Sequence, residues 1–355
     1  MKFGKKLLSG LLAGALMLSF AGCSSADTSW IIRSESTTVP AGVYLYNMMY
    51  AYMSAQYMVE DWEKDVLSQK IEDQDASQWI TDTAMTDTKR ALYTVDRFAQ
   101  MGLTLSEEDK ALVDATVEAT YTPNEELMKK NGIGEESLKM LTEAQLMGNY
   151  IFETIYGEGG EKAISEEELR KEYDENYVKI GMLSFTMPTE GTVSEDATEE
   201  EKAQAEELYQ QQLSAAKQEV DNWWVRAQAA QDAGKDFNDI INEYNAAAGN
   251  GEATDNFFVT RKDNSSNIPA LVMENLDTLE VGKVQKLEDE NNVFIVMLKD
   301  ANEDPQDFED NRVSVMADLK YEEYTQEVEE AVAAASYEVN QASVDRYTPK
   351  KIRLQ

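Results

Sequence analysis

The sequence predicts a mostly helical α+β protein, and three observations point to it. Apolar residues recur at three- and four-residue steps from about residue 40 to 176, and again after Pro305. Beyond a short segment near residue 30, strand-length runs of β-branched and apolar residues lie in residues 177–302. Cys23 is the only cysteine, so no disulfide framework is available and stability must come from burial, which suits a long helical chain.

The elements follow in order. Trp30-Ile31-Ile32 and Val39 read as a small strand or extended segment, and Pro40 sits where a helix begins. Tyr44, Met48, Met49, Tyr52, Met53, Tyr57 and Met58 then mark a first helix. A second, about 76–101, carries Trp79, Ile80, Met85, Leu92, Val95 and Phe98, and Gly102 stands in the C-capping position. Ser106 to Asp109 has capping-box spacing and opens a third helix. Asn131 to Gly134 breaks the chain before a fourth, 135–156, and Gly157 to Gly160 breaks it again. Ser165-Glu166-Glu167-Glu168 is a capping box for a short helix ending near Asn176.

The pattern changes at Tyr177. Residues 178–185 read as a strand that Pro188 ends, and an acidic linker leads into a long helix, about 199–233, with Leu213, Ala216, Val220, Trp223, Trp224 and Ala227 on its stripe. A short helix at 238–244, a strand at 257–259 and a turn of helix at 269–275 follow. Strands at 284–287 and 293–298 around Glu288 to Asn292 read as a hairpin. A last helix, about 307–335, precedes a basic tail with Lys350, Lys351 and Arg353.

Charge and composition exclude several functions. The 355-residue chain carries a formal charge of −36, a field that repels phosphodiesters and argues against nucleic-acid binding. It contains no histidine, which removes Ser-His and Cys-His nucleophilic catalysis and imidazole metal ligation. One thiol excludes Cys-rich zinc or iron–sulfur sites. With 68 acidic residues, no single carboxylate pair is informative. Glu72 to Asp75 and Asp300 to Asp304 lack the glycine and glutamate placement of an EF-hand and read as solvated loops. No metal or cofactor is expected.

The first residues have the layout of a cleaved secretory leader. Lys2, Lys5 and Lys6 precede a 14-residue apolar run, Leu7 to Phe20, closed by Ala21-Gly22-Cys23. That run is too short to span a bilayer comfortably. The segment resembles a bacterial lipoprotein signal, although Phe20 replaces the usual Leu. The resemblance implies removal of residues 1–22 and a diacylglyceryl group on Cys23, leaving a chain of net charge −39 once the three lysines are gone. Two acyl chains hold a protein durably on a membrane.

Several phrases in a fixed order carry a second resemblance. Ala99-Gln100-Met101-Gly102-Leu103-Thr104-Leu105-Ser106-Glu107-Glu108, Gly132-Ile133-Gly134-Glu135-Glu136-Ser137-Leu138 and Ile164 to Tyr177 precede the β-rich block. Gly234-Lys235-Asp236-Phe237 and Leu279-Glu280-Val281-Gly282-Lys283-Val284 lie within it. Over residues 30–335 the chain resembles the extracytoplasmic foldases of the SurA/PrsA type, which carry a parvulin-like rotamase domain. The resemblance implies a helical SurA-like chaperone domain, residues 23–176, and an inserted parvulin-like α/β domain, 177–302. Residues 303–355 would supply a C-terminal helix that returns to the N-terminal domain, with the basic tail. It implies unfolded or partly folded exported polypeptides as partners, and an envelope protein attached to the membrane through Cys23.

Parvulins place one histidine in the first strand of that domain and one in the last. Aligning the phrases puts Gly181 and Phe294 at those positions, so neither ring is present. Prolyl isomerisation makes no covalent bond and depends on favouring the twisted amide over the planar one. Losing both rings removes much of that preference. Met182, Phe258, Ile268 and Leu271 either line an apolar groove for a proline-containing segment or form the core of a small α/β domain. Tyr44, Met48, Met49 and Tyr52 likewise either belong to a client-binding face, for which methionine is well suited, or pack a helical core. Three functions stay open: a chaperone without catalysis, a prolyl isomerase with a histidine-free site, and an adaptor or ligand-binding lipoprotein.

Overall fold

The computed structural model describes residues 27–355 except 193, 195, 196 and 252, so the leader and Cys23 lie outside the described residues. The described residues up to Asn149 form one compact unit with Glu329–Gln355, and Tyr150–Val328 forms a second.

In the first unit β1 (Trp30–Arg33) pairs antiparallel with β2 (Thr38–Pro40), and α1 (Ala41–Met58) follows directly from Pro40. A two-residue hairpin, β3 (Lys70–Ile71) and β4 (Gln74–Asp75), leads into α2 (Ala76–Gln100). Its turn residues Glu72 and Asp73 take φ of 49° and 68°, the left-handed geometry that a twisted two-residue hairpin demands. The acidic run at 72–75 is therefore a turn. Then come α3 (Glu107–Tyr121), α4 (Glu125–Asn131) and α5 (Glu135–Tyr156). The capping box is formed at α3: Asp109 N donates to Ser106 Oγ at 3.0 Å, and Ser106 N donates to Asp109 Oδ2 at 2.8 Å. Gly132 ends α4 at φ 74°, where a side chain would be strained. Tyr44, Met48, Ile80, Leu92, Val113 and Ile133 centre the core of this unit.

The second unit takes in α6 (Glu166–Asn176), β5 (Tyr177–Thr186), α7 (Glu199–Asp232), α8 (Phe237–Ala247), β6 (Phe258–Arg261), α9 (Ala270–Asn275), β7 (Val284–Glu288) and β8 (Asn292–Lys299). Capping boxes start α6 at Ser165 and α7 at Thr198. The four strands form an antiparallel sheet in the order β6-β5-β8-β7. Side chains alternate across it. Leu183, Phe185, Val293, Ile295 and Met297 pack under α7 and α8, against Val220, Trp223, Ala227, Phe237 and Ile241. Val178, Ile180, Phe294, Val296 and Leu298 pack on the other side against Ile268, Val272, Leu276 and Leu279. Both faces are covered, so β8 reads as an unbroken apolar run.

The last long helix, α10 (Pro305–Ala334), buries Phe308, Val315 and Met316 against Phe152, Tyr156, Leu169 and Tyr173 from the ends of α5 and α6. The resemblance implied a helix that returns to the N-terminal domain and named no partners from the sheet. The structure adds them: Lys179 Nζ on β5 donates to Asp307 Oδ2 at 2.7 Å, and Tyr177 Oη donates to Asp318 Oδ2 at 2.6 Å. Arg261 on β6 also reaches Asp318, at 3.2 Å. Burial tends to hold the Lys179 ammonium down, but the hydrogen bond and the charge of Asp307 outweigh it, so its pKa is raised. Val313 on the same helix is exposed.

The basic tail is part of the fold. β9 (Glu338–Val339) adds to β1 through Ile32↔Val339 and Arg33↔Glu338, and α11 (Gln341–Arg346) follows. Ile352 is buried in the first unit's core. Asn131, itself buried, holds this segment by two bonds: its Nδ2 donates to Arg353 O, and its Oδ1 accepts from Arg353 N, both at 2.8 Å. Asn131→Ala leaves that backbone pair unmet, at a cost of about 2 kcal/mol. Hydrogen exchange should then accelerate roughly 30-fold at residues 349–354, with exchange in 177–299 unchanged.

Candidate peptide-binding surfaces

Helix α1 is apolar around almost its whole circumference, and the structure sorts it into two stripes. Tyr44, Met48, Ala51 and Ala55 recur at steps of four, three and four, and each is under 5% exposed. This stripe packs against α2. Tyr46, Tyr50, Met53 and Tyr57 recur at the same steps, two positions on, which is about 200° around the helix. Tyr50, Met53 and Tyr57 point away from the core, whereas Tyr46 is half-buried and packs against it. Tyr50 is 49% exposed, Met53 42% and Tyr57 80%. Met58 and Trp62 extend the exposed surface past the helix end. Tyr46 Oη donates to Tyr50 Oη at 3.1 Å, and their rings lie 4.7 Å apart.

The residues singled out from the sequence fall on the other face. Tyr44, Met48 and Met49 are core residues and Tyr52 is half-buried against the same cluster. A side chain without accessible surface cannot meet a peptide, so Tyr44, Met48 and Met49 pack the unit, Tyr52 keeps part of its surface open, and the exposed stripe is their neighbour. Its signal was present in the sequence: the same periodicity starts from Tyr46 as well as from Tyr44. Glu60, Asp61, Glu63 and Asp65 flank its end, with Lys64 paired to Asp61 at 2.8 Å.

On the sheet, Met182, Phe258 and Leu271 are half-buried and lie together at one side, while Ile268 is wholly buried beneath them. Ile268 is thus core. The other three, with Met273 and Leu287, leave a partly open apolar surface over the sheet.

Gly181 and Phe294 do not face each other. Gly181 pairs with Met297, and Phe294 pairs with Ser184. Directly paired residues share a face and alternate along the strand, so Gly181 belongs to the side under α8 and Phe294 to the side under α9. A Cβ built at Gly181 would lie 3.0 Å from both Ile241 Cδ1 and Phe257 Cε1. Any side chain there would need Ile241 and Phe257 to give way by a few tenths of an ångström. Phe294, 6% exposed, fills core on the opposite side. One catalytic site cannot draw on both positions.

No protein-family model and no curated protein matches the chain. Among solved structures it is similar to PrsA foldases over most of its length. Foldase protein PrsA from Streptococcus pneumoniae is 12% identical, with a TM-score of 0.38 over 90% of this chain and 98% of that one. PrsA from Lactococcus lactis is 14% identical, with a TM-score of 0.35 over 90% and 99%. PrsA from Bacillus subtilis is 12% identical, with a TM-score of 0.33 over 74% and 87%.

Restoring a histidine at the aligned position should not restore a site. Gly181→His would drive the ring into Ile241 and Phe257 and destabilise the sheet unit by about 1–3 kcal/mol. Faster hydrogen exchange in β5 and β8, with no gain in a protease-free prolyl isomerase assay, is the expected result.

Proposed function

We propose that this chain is a membrane-anchored extracytoplasmic chaperone of the SurA/PrsA type that assists the folding of exported polypeptides. Residues 177–302 would be a parvulin-like domain without catalysis. The exposed stripe Tyr50–Met53–Tyr57, with Met58 and Trp62, carries the reading. Aromatic and methionine side chains offer broad, adaptable contact area to apolar segments of many sequences. The surrounding acidic charge keeps such a surface soluble and favours clients of opposite sign. The motif order in the sequence supports the same assignment, and the PrsA structures bear the word foldase in their descriptions. The lipoprotein-like leader places the work outside the cytoplasm, and no helix among the described residues is long and apolar enough to cross a membrane.

An isomerase with a histidine-free site is the competing reading. The half-buried Met182, Phe258 and Leu271 favour it as far as peptide contact goes. They supply apolar lining and nothing that distinguishes a twisted amide from a planar one.

Two measurements test the proposal. Replacing Tyr50, Met53, Tyr57 and Trp62 together by serine should lower suppression of aggregation of an unfolded client at least fivefold, while circular dichroism stays unchanged; unaltered suppression would sink the chaperone surface. Cys23→Ala should abolish labelled-palmitate incorporation and release the protein from the membrane fraction. Continued labelling would remove the anchor from the reading.

A further inference from the structure

The chaperone surface leaves one charged patch without a role. In a chain of net charge −36, the last ten residues contain Arg346, Lys350, Lys351 and Arg353 and no acidic side chain. All four cations are exposed, and none meets a carboxylate among the described residues. Within the tail, Lys351 Nζ donates to Arg346 O at 2.5 Å, and the Arg346 guanidinium stands 5.5 Å from the Tyr347 ring.

The patch is fixed to the start of the described chain. Arg346 Nη1 donates to Thr28 Oγ1 at 2.8 Å, and Tyr347 Oη donates to Thr28 O at 3.1 Å. Asn340 Nδ2 donates to Asp27 O at 2.7 Å. Asp27 is four residue steps from Cys23, a reach of at most about 14 Å. A lipid on Cys23 would therefore hold the four cations close to the headgroups, whatever path those residues take.

Resting on the reading of Cys23 as acylated, we propose that Arg346, Lys350, Lys351 and Arg353 seat on anionic lipid headgroups and orient the first unit on the bilayer. Charges are screened over about 8 Å at physiological ionic strength. The patch beside the anchor then decides the local interaction, although the chain as a whole is strongly acidic. Each cation at an anionic surface favours contact about fivefold. The proximity of the tether selects a bilayer as the partner over a free anion.

The single thiol provides the test. The chain from Cys23 is coupled through that thiol to vesicles bearing a maleimide lipid, either with about 30% phosphatidylglycerol or with phosphatidylcholine alone. A water-soluble amine reagent then labels the lysines, with Lys129 and Lys130 as internal references. Labelling of Lys350 and Lys351 should fall at least about fivefold on the anionic vesicles and recover at high salt. Equal labelling on both vesicles overturns the proposal. So does equal protection by inorganic phosphate on neutral vesicles, which would make the patch a free-anion site. In the variant Lys350→Gln/Lys351→Gln/Arg353→Gln, any amide protection of residues 346–355 gained on anionic vesicles should be lost; its persistence also overturns the proposal. Coupling bypasses biological acylation, so failure here is distinct from failure of the Cys23→Ala experiment, which concerns the anchor itself.

Discussion

A chain with one cysteine cannot cross-link itself, so each element here is held by what it buries. That constraint explains why so little of the sheet is open: its two faces are each covered, one by α7 and α8 and the other by α9 and the chain around it. It also explains the aromatic cluster where α6 runs into β5. Tyr173 and Tyr177 stack at 5.2 Å, and Phe308 meets Tyr173 edge-on at the same distance. Large rings remove much apolar surface from water per residue ordered. The phenol of Tyr177, buried and donating to Asp318, has its pKa raised by burial first and by that bond second.

The same constraint makes the exposed stripe on α1 notable. Burial is the source of stability, yet Tyr50, Met53, Tyr57 and Trp62 contribute little to it. Singly exposed apolar residues are ordinary on protein surfaces, whereas contiguous apolar patches are uncommon there unless they meet a partner. On the reading proposed above, the acidic surface keeps that row dispersed in water while it awaits a client.

On the reading proposed above, residues 177–302 keep a parvulin-like frame without its catalytic arrangement. Its strands keep their pairing, but the position aligned with one histidine is closed by Ile241 and Phe257 and that aligned with the other is a core phenylalanine. Packing has taken over both positions, each for a different face. Restoring residue identity alone would therefore conflict with the core.

Much of the local structure was determined by the sequence itself. The capping boxes at Ser106 and Ser165, the glycine stops at Gly102 and Gly132, the strand at 178–185 and the hairpin around Glu288 to Asn292 all form near their expected places. Each depends on side chains within a few residues of one another, which a linear pattern records. Tertiary structure decided the rest. Two stripes of equal periodicity run along α1, and only contact with α2 selects Tyr44 and Met48 for the core over Tyr50 and Met53. Gly181 and Phe294 are 113 residues apart, and only the β5–β8 register, which sets Gly181 against Met297 and Phe294 against Ser184, assigns them to opposite faces. The basic tail carries no strong pattern of its own; β1, Asn131 and Thr28 fix it from positions more than two hundred residues away. Such partners are specified by the folded chain, because pairing across that distance depends on every element already in place.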